Sequence, residues 1–314
     1  MAQIFMPHQR QIRLGIDIGS SAVKLALMKT PPHHAPTLLG FVIQPLPDEA
    51  VEAKQIRNPA QVNTAIKIAC QKLRRHPRNA YLAIPSALAM TRRITLPAAG
   101  LTDTAIEARV NLAAESQINS AAEPLSVDYS IHENDQVDLT ATRQSNVSER
   151  TQLLKGTSVV AAGIDLEAHA VIRAIAPGLN NPNPIVSGII DCGRDTLTIT
   201  LMRQGRLLHA RDQIIRDAST SAALRAEAVK RGIALLTGSG ITDQPTQLVL
   251  CGGHSHQSGL MTHIEQRTGL PVFLPELEPL VASSPPLIRQ AFAGVANQLI
   301  TAIGLASPGS HNAS

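Results

Sequence analysis

Apolar residues recur in this chain at two spacings, every second residue in some stretches and every third or fourth in others, so strands and helices are both expected. Residues 13–27 (RLGIDIGSSAVKLAL) predict two strands about a Gly-Ser turn, and 38–44 a third, giving an antiparallel meander. A helix over 58–74 follows, with Asn58-Pro59 as cap and first-turn proline and Ile66, Ala69, Cys70 and Leu73 on one face. Residues 81–84 form a short strand ending at Pro85. The next stretch predicts a strand over 90–96 and a helix over 101–118 with Ile106, Val110, Ala113 and Ala114 on one face. Strands over 125–132 and 137–142 flank the turn Glu133-Asn134-Asp135, and 148–154 is a helix. Together they make a small α+β module.

Residues 185–202 (IVSGIIDCGRDTLTITLM) then repeat the opening: apolar strand, Asp-x-Gly turn, alternating strand. Asp17-Ile18-Gly19 and Asp191-Cys192-Gly193 stand at the same place in each unit. Gln204-Gly205-Arg206 is a hairpin turn into a strand from Leu207. A helix over 220–236, a strand over 248–251, the turn Gly252-Gly253, a helix over 259–268 and a final apolar helix over 287–305 complete the chain.

Paired Asp-x-Gly hairpins have a definite chemistry. Glycine lets the backbone approach a ligand and leaves N–H groups pointing outward, so two facing hairpins can clamp a phosphate chain. The aspartate can hold a hydrated divalent cation. Ser20, Ser21 and Lys24 add donors, and Gly252-Gly253 between strand and helix lets an adenine lie against backbone.

Composition narrows the field. At 314 residues the chain has room for two domains of about 150. Its 44% apolar and 17% charged content builds a real core. Aromatics are 2% with no Trp, which excludes the stacking platforms of single-strand nucleic-acid binders. A net charge of +4 does not call for a nucleic-acid partner. No Walker A motif is present, so a P-loop ATPase is excluded. Without a signal-peptide core or about 20 consecutive apolar residues, a cytoplasmic chain is expected.

Other constellations have plainer readings. Cys70, Cys192 and Cys251 include no C-x-x-C pair and are expected to be reduced thiols. Ser21-x-x-Lys24 fits the penicillin-binding S-x-x-K, but the partner motifs S-D-N and K-T-G are absent. His254, His256 and His263 read as exposed polar residues rather than zinc ligands, and His33-His34 as solvated. Lys72, Arg74, Arg75, His76 and Arg78 read as a solvated helix end, with anionic lipid headgroups as the functional alternative.

LGIDIGSSAVKLALM resembles the first phosphate loop of the actin-like ATPase superfamily and, within it, the FtsA-related PilM family of type IV pilus assembly. The inserted subdomain of that family is similar to 83–132, with Pro85-Ser86, Leu96-Pro97, Ala114-Glu115 and Asp128-Tyr129 at matching places. AAGIDLEAHAVIRAI, with Asp165 and Glu167, resembles its return to the first domain. IIDCGRDTLTITLMRQGRLLHARDQ resembles its second phosphate hairpin, LVLCGGHSHQSGL its adenosine loop and ITAIGLA its closing helix.

The resemblance implies an α/β, actin-like (ribonuclease H-like) duplicated fold with a small α+β subdomain inserted in the first half. The expected divisions are 12–79 continued at 159–184 with 287–305 packing back, an insert over 80–158, and a trimmed second domain over 185–286. It implies ATP with Mg²⁺ in the cleft, on Asp17, Gly19, Ser20, Ser21, Lys24, Asp191, Gly193, Thr196, Gly252 and Gly253, with Asp17 holding the metal through water. It also implies docking of the cytoplasmic N-terminal tail of a PilN-like inner-membrane protein, with contacts on Met90, Arg92, Ile94, Leu96, Ile106 and Val110, and a place among other platform proteins at the inner-membrane face. Self-association stays open.

The chain departs from the family pattern where small residues follow the second Asp-x-Gly. Arg194 here either pairs with a phosphate or fills its space, and Asp195 would repel one. Ile214-Ile215-Arg216-Asp217 replaces a Gly-Gly turn, and a single helix stands where two or more are usual. A scaffold without efficient hydrolysis is therefore expected. The alternatives are a small-molecule kinase, for which no aspartate is placed as a base, and an FtsA-like filament-forming ATPase, for which the short polar 307–314 offers no membrane helix.

Overall fold

Leu14, Ile16, Val23 and Leu25 are wholly buried because the strands carrying them are covered on both faces, which gives near-continuous apolar runs rather than strict alternation. The computed structural model describes residues 12–31, 36–73, 76–97, 101–118, 123–132, 134–179, 185–215, 219–238 and 243–308. Strands β1 (Ile12–Ile18) and β2 (Ala22–Lys29) form an antiparallel hairpin, with Asp17 opposite Lys24, and β3 (Thr37–Pro45) returns beside β2. A two-residue-turn hairpin, β4 (Val51–Glu52) and β5 (Gln55–Ile56), precedes α1 (Pro59–Leu73), whose first turn is capped by Asn58 Oδ1 accepting from the Gln61 N–H at 3.2 Å. Strand β6 (Asn79–Ile84) then runs parallel to β1.

Between β6 and the rest of its sheet lies the inserted module. It comprises β7 (Ala89–Thr95), α2 (Asp103–Gln117), β8 (Leu125–Ile131), β9 (Gln136–Arg143) and α3 (Gln144–Gln152). Thr102 caps α2, its hydroxyl accepting from the Ala105 N–H. The three strands run in the order β7-β9-β8. One face packs Val137, Leu139 and Ala141 against Ile106, Val110 and Ala114 of α2, forming a separate core. Strand β10 (Val160–Leu166) rejoins the first sheet, and α4 (Glu167–Ile175) follows.

The second half comprises β11 (Val186–Cys192), β12 (Thr196–Arg203), β13 (Arg206–Ile214), α5 (Ala222–Thr237), β14 (Gln247–Cys251), α6 (Leu260–Thr268) and β15 (Val272–Phe273). Short helices α7 (Glu278–Val281) and α8 (Pro286–Ala293) lead to α9 (Ile300–Ala306). The first sheet is ordered β10-β6-β1-β2-β3 and the second β13-β12-β11-β14-β15. Taken from opposite ends the two orders correspond strand for strand, so the repeated Asp-x-Gly pattern marks a duplicated topology.

Several expectations need correcting. Strand β6 belongs to the first sheet, with Ala80 beside Leu14 and Leu82 beside Ile16, both fully buried. The insert therefore starts after Ile84, not at residue 80. Helix α3 begins at Gln144, four residues earlier than its pattern suggested. The apolar stretch over 287–305 is not one helix: α8 ends at Ala293 with Gly294 as C-cap, and a 3₁₀ turn over Ala296–Gln298 precedes α9. The hairpin β4–β5, strand β15 and helix α7 went unread because each is four residues or shorter in its elements. Arg74, Arg75, His33, His34, Arg216 and Asp217 lie outside the described residues.

Helix α9 seats closely on β1 and α4 of the first half and joins a core shared with the second. A Cβ on Gly15 of β1 would lie 2.0 Å from the Ala302 carbonyl oxygen, and one on Gly304 would lie 1.8 Å from that of Ala170 in α4. The core around this contact draws Met28 and Leu38 from the first sheet, Ile189 and Val249 from the second, and Ile172 and Ile303 from the two helices. Gly304→Val is expected to lower stability by about 3 kcal/mol or more, since backbone must move to admit the side chain. Gly294→Ala, with nothing within 4 Å of the new methyl, is expected to change it by less than about 0.5 kcal/mol. Urea unfolding of both variants checks the pair.

Candidate functional site

The mirrored hairpins turn their tips toward each other. Asp17 ends the buried part of β1 and accepts from Lys24 Nζ at 2.9 Å across the β1–β2 ladder. In the second hairpin the Gly193 N–H bonds the Thr196 carbonyl at 2.9 Å, making a tight turn that pushes Asp195 outward. Asp195 crosses to the other half: its Oδ1 accepts from the Ser20 hydroxyl at 2.6 Å and its Oδ2 from the Ala53 N–H at 2.8 Å. Beside it Arg194 donates to Asp48 at 2.7 Å. Both residues of the Arg194-Asp195 departure thus bond to the opposite half.

The turn between β4 and β5 supplies the other bridge. Ala53 (φ 47°) and Lys54 (φ 64°) both occupy the left-handed region, which two-residue hairpin turns require and Asn-Gly usually fills. For side chains with a Cβ this conformation costs about 1–2 kcal/mol each. In return the Lys54 ammonium reaches deep into the cleft. It donates to Glu167 Oε2 at the first residue of α4, to Thr198 Oγ1 at 2.6 Å and to Asp212 Oδ1 at 2.9 Å. Thr198 also donates to Asp212 at 2.7 Å. Burial alone would lower the Lys54 pKa, but Glu167 and Asp212 more than reverse this and hold it well above the ordinary lysine value. The Arg150 guanidinium, almost wholly buried, backs the turn by donating to the Lys54 carbonyl at 3.2 Å.

Two features brace the second hairpin. Arg225 of α5, fully buried, donates to the Gly193 carbonyl at 3.0 Å and the Arg194 carbonyl at 3.2 Å. Gly252 has φ +92°, and a Cβ there would sit 2.3 Å from Asp191 Oδ1. Its missing side chain therefore makes room for Asp191 and the Cys192 backbone. Burial raises the Cys192 thiol to about 11, so it stays protonated, and Cys70 and Cys251 are likewise buried and unpaired to sulfur.

All ten residues expected around a nucleotide (Asp17, Gly19, Ser20, Ser21, Lys24, Asp191, Gly193, Thr196, Gly252 and Gly253) line this one cleft, together with Lys54, Glu167, Thr198 and Arg194. Lys54, Thr198 and Asp212 escaped sequence reasoning. Lys54 lies in a short Glu-Ala-Lys-Gln stretch with no glycine or asparagine to announce a turn. As arranged, the cleft does not fit Mg-ATP. The Ser20 hydroxyl, the Ala53 N–H and the ammonium groups of Lys24 and Lys54 already have carboxylate partners. The remaining space is about 130 Å³, against roughly 300–1,000 Å³ for small-molecule pockets.

The expected peptide contacts divide. Met90 and Ile94 are half-buried and Arg92 is exposed. Leu96, Ile106 and Val110 are 7%, 6% and 0% exposed and belong to the module's own core, so they support a surface rather than line one. The three histidines do not converge on a metal: His256 meets Asn297 at 3.1 Å while His254 lines the cleft. Among the described residues no helix is long and apolar enough to cross a membrane.

Duplicated five-stranded halves, a cleft between their opening hairpins and a module inserted in the first define an actin-like fold. The fold is shared with a Bacteroides thetaiotaomicron protein described as having an actin-like ATPase fold and unknown function (TM-score 0.51, 11% identity, 98% of this chain and 100% of that one). It is also shared with the cytoplasmic domain of EpsL, an inner-membrane component of the Vibrio cholerae type II secretion system (TM-score 0.51, 10% identity, 95% and 96%). Similarity is greater to a chain of a PilM-PilN type IV pilus biogenesis complex, with TM-score 0.78 and 20% identity over 94% of this chain and 97% of that one. Residues 15–217 match the family described as type IV pilus assembly protein PilM. The chain belongs to the PilM family.

At the head of α4, Asp165 sets the approach to Glu167. Its carboxylate accepts from the Leu166 N–H at 2.7 Å and pairs with Arg173 at 2.5 Å and His169 at 3.3 Å. Burial opposes ionisation, but the His169 hydrogen bond and the Arg173 charge outweigh it and hold the pKa at about 2, below the ordinary 3.8. A depressed carboxylate stabilises the fold above its unfolded pKa and loses that contribution as pH falls through the folded one. Asp165→Asn is expected to cost about 2 kcal/mol at pH 7 and close to nothing at pH 2. Denaturant unfolding of both proteins at the two pH values measures the difference.

Proposed function

We propose that this chain is a docking scaffold of the type IV pilus assembly platform at the cytoplasmic face of the inner membrane. In this reading it binds the N-terminal cytoplasmic tail of a PilN-like membrane protein, with further platform proteins assembling around the pair. The carrying observation is the similarity over nearly the full chain to a protein from a PilM-PilN complex, together with the inserted module.

The geometry of that module supports the reading. Strand β7 is an edge in the order β7-β9-β8, so one side of its backbone is open to pairing with an added strand. Arg93 on β7 donates twice to Asp138, at 2.8 Å each, and Asp138 also accepts from Arg206 of the second half at 3.1 Å. That face is engaged by the second half. Strand alternation puts Met90, Arg92 and Ile94 on the other face, at the margin of the module's core. An extended tail pairing along β7 would meet two apolar side chains and one cation.

A kinase needs a free base beside an acceptor pocket. Asp195, Glu167 and Asp212 are each bonded to a donor of this chain, which favours the scaffold. Calorimetric titration with a synthetic PilN-like tail peptide is expected to give saturable binding. Arg92→Glu should weaken it by about fivefold or more without altering the melting temperature, because Arg92 is exposed. Absence of heat, with no competition at high peptide concentration, would remove the docking assignment.

A further inference from the structure

The cleft that the duplication creates is crossed by two charges of the chain's own. Asp195 takes up, as an anion, a hydroxyl and a backbone N–H from the opposite half: Ser20 at 2.6 Å and Ala53 at 2.8 Å. These are the donor types a loop offers to a phosphate oxygen. Lys54 enters from the other direction as a cation among Glu167, Thr198 and Asp212. Carboxylates and a hydroxyl around one positive charge are what a hydrated divalent ion collects. The two are adjacent in the chain's economy of contacts, since the Ala53 N–H and the Lys54 side chain leave the same two-residue turn. One strained turn therefore ties the first half to the second hairpin through Asp195 and to β12 and β13 through Thr198 and Asp212.

We infer that the cleft is a self-occupied latch, in which the Asp195 carboxylate stands in the place of a phosphate and the Lys54 ammonium in the place of a divalent cation, so that the halves stay closed without Mg-nucleotide. Arg194–Asp48 adds an outer bridge of the opposite polarity across the same gap. Exposed at its Asp48 end, it is screened by solvent and salt, whereas the Lys54 and Asp195 contacts are enclosed. The inference is independent of the docking reading: a failed peptide titration leaves it standing, and its own failure leaves the peptide site untouched.

Hydrogen–deuterium exchange on the full chain tests it, comparing wild type with Lys54→Met and with Asp195→Asn. Should Lys54→Met fail to fold, Asp195→Asn carries the test alone, because it preserves shape while removing the charge and one of the two accepting oxygens. The Ala53 amide and the amides of the β1–β2 turn are expected to exchange about tenfold faster or more in the variants, with the centres of β1 and β11 unchanged. In wild type, a fluorescent ATP analogue with Mg²⁺ is expected to show no saturable binding up to about 1 mM and to leave exchange at Ala53 unaltered. Exchange at Ala53 as slow in both variants as in wild type overturns the latch. So does saturable wild-type binding of the analogue with a Kd below about 1 mM.

Discussion

Two missing side chains set how closely helix α9 can approach the rest of the first half. Gly15 lets α9 rest on β1 and Gly304 lets the same helix rest on α4, in each case at a separation that excludes even a methyl group. Residues of α9 also join an apolar core in which side chains of both sheets are interleaved. Protein interiors are close-packed and transmit displacement rather than absorb it. The start of α9, at Ile300 and Thr301, lines the cleft, so its seating is felt where Lys54 meets Asp212 and Asp195 meets Ser20.

On the cleft side the governing term is electrostatic. Asp17, Glu167, Asp191 and Asp212 crowd one region, and unpaired charges there would be costly to remove from water. Lys24 answers Asp17, and Lys54 answers Glu167 and Asp212. The lysine comes from a turn whose backbone would be more comfortable with Asn-Gly. A local preference overridden in this way marks a place where a longer-range interaction outweighs it. Breaking a buried pair by removing one partner typically costs about 3–5 kcal/mol, because the other charge is left buried and unpaired.

Much of the architecture was legible in the amino-acid order for a physical reason: buried strands must be apolar, and a phosphate-loop hairpin needs Asp, Gly and small polar residues in a set order. Hence β1, β2, β11 and β12, and the convergence of Asp17 and Asp191, were readable. Asp195 stood out as a departure, and the carboxylate now has partners. Lys54 was not readable, because a six-residue hairpin leaves no periodicity and its turn lacks the expected residue types. Ile106 and Val110 were placed on a contact surface through the family resemblance; their helical spacing tells which residues share a face and not whether that face meets solvent or a sheet. The long C-terminal apolar stretch misled in a similar way, since apolar content persists across the break between α8 and α9.

The guanidinium of Arg225 grips the carbonyls of Gly193 and Arg194 from within α5. A loop shaped by a ligand collapses or wanders when the ligand leaves; this one is splinted from behind by a helix that is itself part of the core. The tip of the second hairpin accordingly has its curvature built in at folding, held by the chain's own guanidinium.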